Sequence, residues 1–223
     1  MDSWRVAVLG DGGVGKTALA VQFTLNCFVG EHNTCLASRL ALRTIIIAPP
    51  SCRGWFFKDT VPIAVKDAYR KQLVVDKRMC FVEVIDTAGQ EEYATLRDQW
   101  VREGQGFILV YSIASRATFE RLDVFRQAML KVKRQKPVFM LVGNKCDKQY
   151  EREVSRDEGL ALARSFGCDF LETSAKTAVN VERLFVDLVR LLRQTKQQEQ
   201  GMQGPPRPPK DKEKRKGGKC IIM

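Results

Sequence analysis

The sequence predicts an α/β fold in which a six-stranded, mostly parallel sheet carries helices on both faces. Short segments that are apolar almost throughout recur along the chain, which is typical of strands buried on both faces. Longer segments with apolar residues at helical spacing lie between them, and this alternation predicts parallel strands joined by right-handed crossovers. A glycine-rich turn separates the first strand from the first helix. With 223 residues, the chain is long enough for one domain with a substantial core and appended segments.

The first third of the chain supplies three strands and one helix. Residues 4–9 predict a buried strand, and residues 18–23 predict the helix that follows the glycine-rich turn. In the segment 67–85, β-forming residues alternate on both sides of Asp76-Lys77. That pattern predicts two strands joined by a tight turn. Residues 91–102 then predict a short polar helix.

The middle of the chain repeats the strand–helix alternation. Residues 106–111 and 137–142 are almost wholly apolar and predict two further buried strands. Residues 115–133 predict the helix between these strands, with Ser115 as its N-cap, since a serine side chain can accept from the first free N–H groups.

The last third of the chain predicts two helices around one strand. Ser155 begins a helix in which Glu158 occupies the capping-box position, and residues 168–172 predict the sixth strand. The final helix carries an apolar stripe formed by Val181, Leu184, Phe185, Leu188, Val189 and Leu192. We expect the core to end near residue 194 and the residues from 195 onward to be disordered, since few of them are apolar.

The glycine-rich turn matches the pattern G-x-x-x-x-G-K-[ST] at every fixed position. It consists of Gly10, Asp11, Gly12, Gly13, Val14, Gly15, Lys16 and Thr17, followed by Ala18. Between a strand and a helix N-terminus, such a turn directs backbone N–H groups and the helix dipole towards an anion. We expect Lys16 to reach the β- and γ-phosphates and Thr17 to ligate Mg²⁺, which predicts the P-loop NTPase fold. The alternative is a glycine-rich turn that only joins strand to helix.

A second motif follows the strand that ends near residue 85. It reads Asp86-Thr87-Ala88-Gly89-Gln90. Asp86 is suited to hold a water on Mg²⁺, and the Gly89 N–H can donate to a γ-phosphate. The Gln90 amide both donates and accepts, so it can orient an attacking water. Alone, Gln90 would be interpreted as an exposed loop residue; its place after D-x-x-G favours the catalytic role.

Two motifs after later strands indicate recognition of the base. Asp147 of Asn144-Lys145-Cys146-Asp147 can accept from the N1–H and N2–H₂ donors of guanine together, a donor pair that adenine lacks. The Lys145 stem can pack over the base and the phosphate loop. Ser174, Ala175 and Lys176, in Thr173-Ser174-Ala175-Lys176, offer backbone N–H donors for the guanine carbonyl. The alternative for Asn144 and Asp147 is a solvated turn.

Together these motifs resemble the Ras family of small GTPases, and the resemblance runs from Val6 to about Leu192. It implies a GTPase domain over 1–194 that binds GTP, GDP and Mg²⁺, with Lys16 and Gln90 in catalysis and Phe28 edge-on to the guanine. It also implies an exchange factor, a downstream effector and a GTPase-activating protein whose arginine is inserted past Gly12. We expect a monomer.

The net charge of +11 is concentrated outside the predicted core. Residues 207–219 hold seven Lys/Arg against two Asp/Glu, and the chain ends Cys220-Ile221-Ile222-Met223. This C-a-a-X box predicts farnesylation of Cys220, with the basic run as a second signal for an anionic leaflet. We therefore expect a lipid anchor at the cytoplasmic face of the plasma membrane. The charge distribution argues against a folded nucleic-acid-binding face.

The cysteines and the single histidine argue against disulfides, histidine zinc sites and Ser-His-Asp triads. Seven cysteines, an odd number without a C-x-x-C pair, predict reduced thiols in a cytosolic protein. Because His32 is the only histidine, a zinc site built on histidines and a Ser-His-Asp triad are both disfavoured.

The interval 30–66 departs from the family pattern. Ala64 stands where the family has a threonine that completes the Mg²⁺ shell, and Lys66 reverses a charge that effectors meet. Three interpretations are open: an aberrant coding product such as retained non-coding sequence, a lineage-specific insertion that binds a partner, and an additional strand. A loop of this length inside a compact domain needs a special reason.

Three functional hypotheses follow from these motifs. The first is a membrane-anchored GTPase switch, in which GTP and GDP hold different loop conformations. The second is a nucleotide-binding module with impaired switching, because the threonine of the effector loop is absent. The third is an ATP-dependent P-loop enzyme, against which Asp147 argues.

Overall fold

The computed structural model describes residues 2–28, 68–87, 94–133 and 135–202. Several predictions fall outside these residues: those on the interval 30–66, on Ala88, Gly89 and Gln90, and on the basic tail with Cys220.

Six strands form one sheet in the order β2-β3-β1-β4-β5-β6. Their bounds are Asp2–Gly10 for β1, Ala68–Val75 for β2, Arg78–Asp86 for β3, Gly106–Ser112 for β4, Val138–Asn144 for β5 and Asp169–Glu172 for β6. β1 pairs in parallel with β3 and β4, and β5 pairs in parallel with β4 and β6. Among the described strands, only the edge strand β2 is antiparallel, to β3. The predicted six-stranded, mostly parallel sheet is confirmed.

Helices connect the strands and cover both faces of the sheet. Their bounds are Lys16–Leu25 for α1, Ala94–Glu103 for α2, Arg116–Glu120 for α3, Leu122–Val132 for α4, Arg156–Phe166 for α5 and Val181–Met202 for α6, with a 3₁₀ turn at Gln149–Glu151. In β1, Val6 and Val8 belong to the apolar cluster that includes residues of α1 and α6. Ala7 and Leu9 face the other side of the sheet and belong to the cluster that includes residues of α4. All four are at most 2% exposed, as expected for a central strand buried on both faces.

Local sequence signals explain several element boundaries. Asp76 and Lys77 adopt φ values of 50° and 61°, so both central residues of the β2–β3 turn are left-handed, which suits the twist of a two-residue hairpin. At the start of α5, the Ser155 side chain accepts from the Glu158 N–H, and the Glu158 carboxylate accepts from the Ser155 N–H. The predicted hairpin and the predicted capping box are confirmed.

The helix predicted over 115–133 is divided into α3 and α4 at Arg121, which lies between them with φ −79° and ψ −7°. Ser115 occupies the N-cap position of α3, but its side chain makes no capping hydrogen bond. Instead, the Arg116 N–H donates to the Glu153 carboxylate at 2.6 Å. A carboxylate 37 residues away thus satisfies the first N–H of α3, and the capping bond predicted for Ser115 is absent.

The last helix continues beyond the end of the core. Among the side chains of α6 that the structure describes, Leu192 is the last buried one, in agreement with a core that ends near residue 194. The helix nevertheless runs to Met202, which corrects the prediction of disorder from 195 onward for the residues up to 202. Within the described ranges, the chain has no helix that combines the length and the apolar character needed to cross a bilayer.

Candidate functional site

The strand register brings the predicted motifs to one edge of the sheet. Gly10 lies beside Val110 of β4, and Ser112, at the end of β4, lies beside Asn144. On the other side of β1, Val8 lies beside Asp86. Because parallel strands end at the same edge, the loops after β1, β3, β5 and β6 all leave the sheet there.

The glycines of the phosphate loop differ in how closely other described atoms approach them. Gly15 has φ +94°, and a Cβ there would lie 2.5 Å from the amide nitrogen of Asn144. A Cβ on Gly12 or Gly13 would meet no described atom within 4 Å. The glycines therefore let the loop pack closely on Asn144 while they leave space in front of the backbone N–H groups.

The Lys16 side chain lies folded across the phosphate loop. Lys16 is 3% exposed, and its ammonium donates to the carbonyl oxygens of Gly10 at 3.1 Å and of Asp11 at 2.7 Å. An ammonium held against carbonyls at the rim of an anion cradle is positioned to bind phosphate oxygens as a point charge. This position is compatible with the phosphate-binding role of Lys16, which stays a prediction.

Two residues have the chemistry for a magnesium ion. Thr17 is exposed in the first turn of α1, and Asp86 ends β3 next to β1. Mg²⁺ is commonly held by one or two protein oxygens together with substrate phosphates, so this small oxygen set fits the ion. In the part of the chain that the structure describes, no group of three or more His, Cys, Asp or Glu residues forms an all-protein metal site. Thr87, in contrast, is buried and donates its hydroxyl to Val8 O at 2.7 Å.

Asn144 joins the phosphate loop to the loop after β6. Its side chain is 1% exposed, and the amide nitrogen donates to Val14 O at 2.8 Å. The amide oxygen accepts from the Thr173 hydroxyl at 3.2 Å and from the Ala175 N–H at 3.4 Å. The alternative of a solvated turn is therefore wrong for Asn144, whose polar atoms are satisfied within the protein.

Lys145 also contacts the phosphate loop. It adopts φ +65°, and its ammonium donates to Gly13 O at 2.6 Å. The left-handed backbone turns the chain immediately after β5, and the long side chain extends over the loop. Lys145 thus lies beside the phosphate loop, as its predicted role in packing over the base requires.

The side chain of Asp147 is oriented by a hydroxyl. The Ser174 hydroxyl donates to the Asp147 carboxylate at 2.6 Å, and it accepts from the Thr177 N–H at 3.1 Å. Asp147 itself is exposed, so its carboxylate lies at the surface beside the loop after β6. A carboxylate held in one orientation and open to solvent is suited to accept two donors of a base edge.

Two of the predicted backbone donors already make hydrogen bonds within the protein. The Ser174 N–H donates to Val179 O at 3.1 Å, and the Ala175 N–H makes the long bond to Asn144 described above. Lys176 is exposed in the same loop, and Phe28, at the end of the described N-terminal segment, is 38% exposed. Their contacts with a base stay predictions.

The sequence reasoning missed two polar residues at this edge. The Thr173 hydroxyl donates to the side-chain oxygen of Asn144. Its position as the first residue of the motif 173–176 is the sequence signal that could have indicated this role. Arg121 donates from one guanidinium nitrogen to both carboxylate oxygens of Asp11, at 2.8 Å each. No local pattern marks Arg121, because its partner lies 110 residues away along the chain.

A cleft of about 550 Å³ lies at the opposite end of the sheet, between residues that precede β5 and β6 and the last turns of α6. Pockets are the default place to seek a ligand site. This cleft is not the candidate site, because the glycines of the phosphate loop, Lys16, Asn144 and Asp147 all lie at the other edge of the sheet.

The chain is similar in sequence to a known protein family and to several fungal proteins. The model of the Ras family matches residues 52–194. Ras-like protein 1 of Pyricularia oryzae is 44% identical, over 84% of this chain and 74% of that protein. Ras-like protein B of Aspergillus fumigatus is 43% identical, over 86% and 78%. Protein ras-2 of Neurospora crassa is 43% identical, over 99% of this chain and 96% of that protein. This match includes the phosphate loop, which lies outside the residues matched by the family model.

Proposed function

The chain belongs to the Ras family of small GTPases, and on that premise we propose that it is a membrane-anchored guanine-nucleotide switch. Members of this family bind GTP and GDP and hydrolyse GTP in signalling. The proposal adds the residues that perform these steps in this chain, the lipid anchor and the partners.

One observation carries the proposal: Asn144 hydrogen-bonds Val14 of the phosphate loop and Thr173 of the loop after β6. Asp147, three residues after Asn144, is thereby held at a fixed place relative to the anion cradle. A nucleotide presents its phosphates and its base at a constant separation, so a rigid link between the two loops favours binding both at once.

The residues of the phosphate loop divide the work on the triphosphate. Lys16 supplies a positive charge, and the loop backbone supplies N–H donors. Thr17 and Asp86 would hold Mg²⁺, directly and through water, and the ion when bound neutralises charge on the β- and γ-phosphate oxygens. In this proposal, Gln90 orients the water that attacks the γ-phosphate, and the Gly89 N–H donates to the γ-phosphate. Thr87 and Ala88 complete the same motif.

The partners follow from the same chemistry. An exchange factor opens the site for nucleotide release, and an activating protein supplies an arginine past Gly12, where a Cβ would meet no described atom within 4 Å. A downstream effector contacts the loops that differ between the GTP and GDP states.

The C-terminus provides the membrane anchor in this proposal. Farnesylation of Cys220 gives marginal membrane affinity alone, and the basic residues of 207–219 add about 1 kcal/mol each near an anionic leaflet. The turns of α6 beyond Leu192 would act as a spacer between the domain and the cytoplasmic face of the plasma membrane.

A second function is favoured by a specific feature of the sequence. With Ala64 in place of a threonine and Lys66 in place of an acidic residue, the segment that should sense the γ-phosphate has lost a ligand. The chain would then bind both nucleotides, while the difference in affinity that drives a switch shrinks. Capture of GTP-loaded and GDP-loaded protein on an effector domain distinguishes the two functions: a strong preference for the GTP form excludes the impaired module.

Binding of fluorescent GDP to the purified full chain tests the primary proposal. We expect unlabelled GTP and GDP to displace the probe and ATP to fail, and we expect Lys16→Ala to weaken binding. Lys131→Ala, which removes an exposed lysine in the last turn of α4, is the matched control. Displacement by ATP as effective as that by GTP, or no bound probe in the wild type, would contradict the proposal.

A further inference from the structure

The phosphate loop carries a carboxylate that is paired with a residue outside every nucleotide motif. One guanidinium nitrogen of Arg121 donates to Oδ1 and to Oδ2 of Asp11, at 2.8 Å each. The Asp11 side chain is 17% exposed and that of Arg121 is 58% exposed. The pair connects the loop after β1 to the junction between α3 and α4.

Both partners are held by their surroundings. Oδ1 of Asp11 also accepts from the Gly12 N–H at 2.9 Å, and the Asp11 carbonyl accepts from the Lys16 ammonium at 2.7 Å. On the other side, Arg121 precedes the fully buried Leu122. Its backbone N–H donates to carbonyls of α3. The ion pair therefore joins two elements whose positions are set independently by the core.

The Asp11 carboxylate presents an electrostatic problem in a loop that binds phosphate. A negative charge within several ångströms of a nucleotide's phosphates repels them, and the repulsion is stronger beside a protein than in bulk water. A carboxylate near the anion cradle thus needs a compensating charge, and in the described structure Arg121 provides it. Lys16 cannot compensate the charge of Asp11 and bind the phosphates at the same time.

We propose that Arg121 is a positioning residue for the phosphate loop, which holds and neutralises Asp11 so that the loop retains its affinity for the nucleotide's phosphates. The proposal rests on nucleotide binding by this loop. It assigns to Arg121 a role through Asp11, and not a contact with the nucleotide.

Exposed ion pairs often contribute little, so the effect is measured as coupling between two residues. The experiment records the dissociation rate of fluorescent GDP from the full chain in four proteins: the wild type, Arg121→Gln, Asp11→Asn and the double variant. Gln keeps most of the Arg121 stem, and Asn keeps an oxygen for the Gly12 N–H.

We expect Arg121→Gln to accelerate GDP dissociation about fivefold to tenfold when Asp11 is present, because the unpaired carboxylate of Asp11 then repels the phosphates. In the Asp11→Asn background, the same substitution should change the rate less than about twofold. Arg121→Lys should restore most of the wild-type rate. The defect should also shrink in about 1 M salt, where the screening length falls to about 3 Å.

Arg126→Ala is the matched control, because Arg126 pairs with Asp123 on α4. Thermal unfolding of each variant separates loss of folding from loss of coupling. If the wild type binds no GDP, the proposed function fails. If the wild type binds GDP and Arg121→Gln leaves its dissociation unchanged, or accelerates it equally with Asn at position 11, the role of Arg121 is refuted.

Discussion

The amide nitrogen of Asn144 donates to the carbonyl oxygen of Val14 at 2.8 Å, across 130 residues of chain. Through this bond, the loop expected to read the base and the loop expected to hold the phosphates form one unit. The amide oxygen of the same side chain accepts from two groups in the loop after β6, the Thr173 hydroxyl and the Ala175 N–H.

Replacement of Asn144 by Ala should destabilise the domain and release nucleotide faster. The substitution leaves the buried Val14 carbonyl and Thr173 hydroxyl without this partner, at a cost of about 1–3 kcal/mol. For a domain of this size, each kcal/mol lowers the melting temperature by roughly 2–4 °C. Thermal unfolding and GDP dissociation measure the two effects, with Gln127→Ala on the exposed face of α4 as control. Unchanged values for both would contradict the role of Asn144.

Substitutions of two glycines in the phosphate loop should differ sharply. Gly15→Ala places a Cβ 2.5 Å from the Asn144 amide at φ +94°, so it should lower the free energy of unfolding by more than about 1 kcal/mol. Gly12→Ala meets no described atom within 4 Å and should change stability by less than about 0.5 kcal/mol. Chemical denaturation of the two variants tests this order. Equal stability of both proteins would show that the loop relaxes around the added methyl group.

Asp147→Ala should abolish discrimination between guanine and adenine nucleotides. A polar site that pairs with a base edge can discriminate by about 10⁴–10⁵, which is lost when the acceptor is removed. Ser174→Ala keeps the carboxylate and removes only the hydroxyl that orients it, so a smaller loss is expected. Competition of ATP and GTP against fluorescent GDP measures both. Retained preference for GTP in Asp147→Ala would place base recognition elsewhere.

Glu158 should stabilise the fold in a pH-dependent way. Hydrogen bonds from Arg116 and from the backbone and side chain of Ser155 lower the pKa of its carboxyl from 4.5 to about 2. Because the folded-state pKa is lowered, this contribution is fully present above the ordinary pKa and is lost as the pH falls through about 2. The difference in unfolding free energy between the wild type and Glu158→Gln should therefore shrink from pH 5 to about pH 2. Asp157→Asn, in the same helical turn, is the control; a pH-independent difference would contradict the prediction.

Cys220→Ser should move the protein from the membrane fraction to the soluble fraction. One prenyl chain and a basic run act together in the proposed anchor, so loss of the chain leaves only electrostatic attraction. Cell fractionation measures the shift, and Cys168→Ser, which alters a half-buried thiol of the domain, is the control. An unchanged distribution of Cys220→Ser would refute the lipid anchor.

Much of this architecture is readable in the sequence because the relevant physics is local. The apolar run of β4 predicts a strand buried on both faces, and all of its residues are buried. Asp76-Lys77 predicts a tight hairpin, and Ser155 with Glu158 predicts a capping box, since each depends on residues a few positions apart. The same holds for the phosphate loop, whose spacing alone indicates an anion site.

Other features depend on which distant residues the fold brings together. Glu153, and not Ser115, satisfies the first N–H of α3, and Arg121 neutralises Asp11 across 110 residues. Neither pairing follows from periodicity or spacing, because many exposed charged residues could meet once the chain has folded. The motifs of the chain thus identify the family and predict the chemistry of the site. Its internal connections, from Asn144 to Val14 and from Arg121 to Asp11, follow from the packing of the strands and helices that carry them.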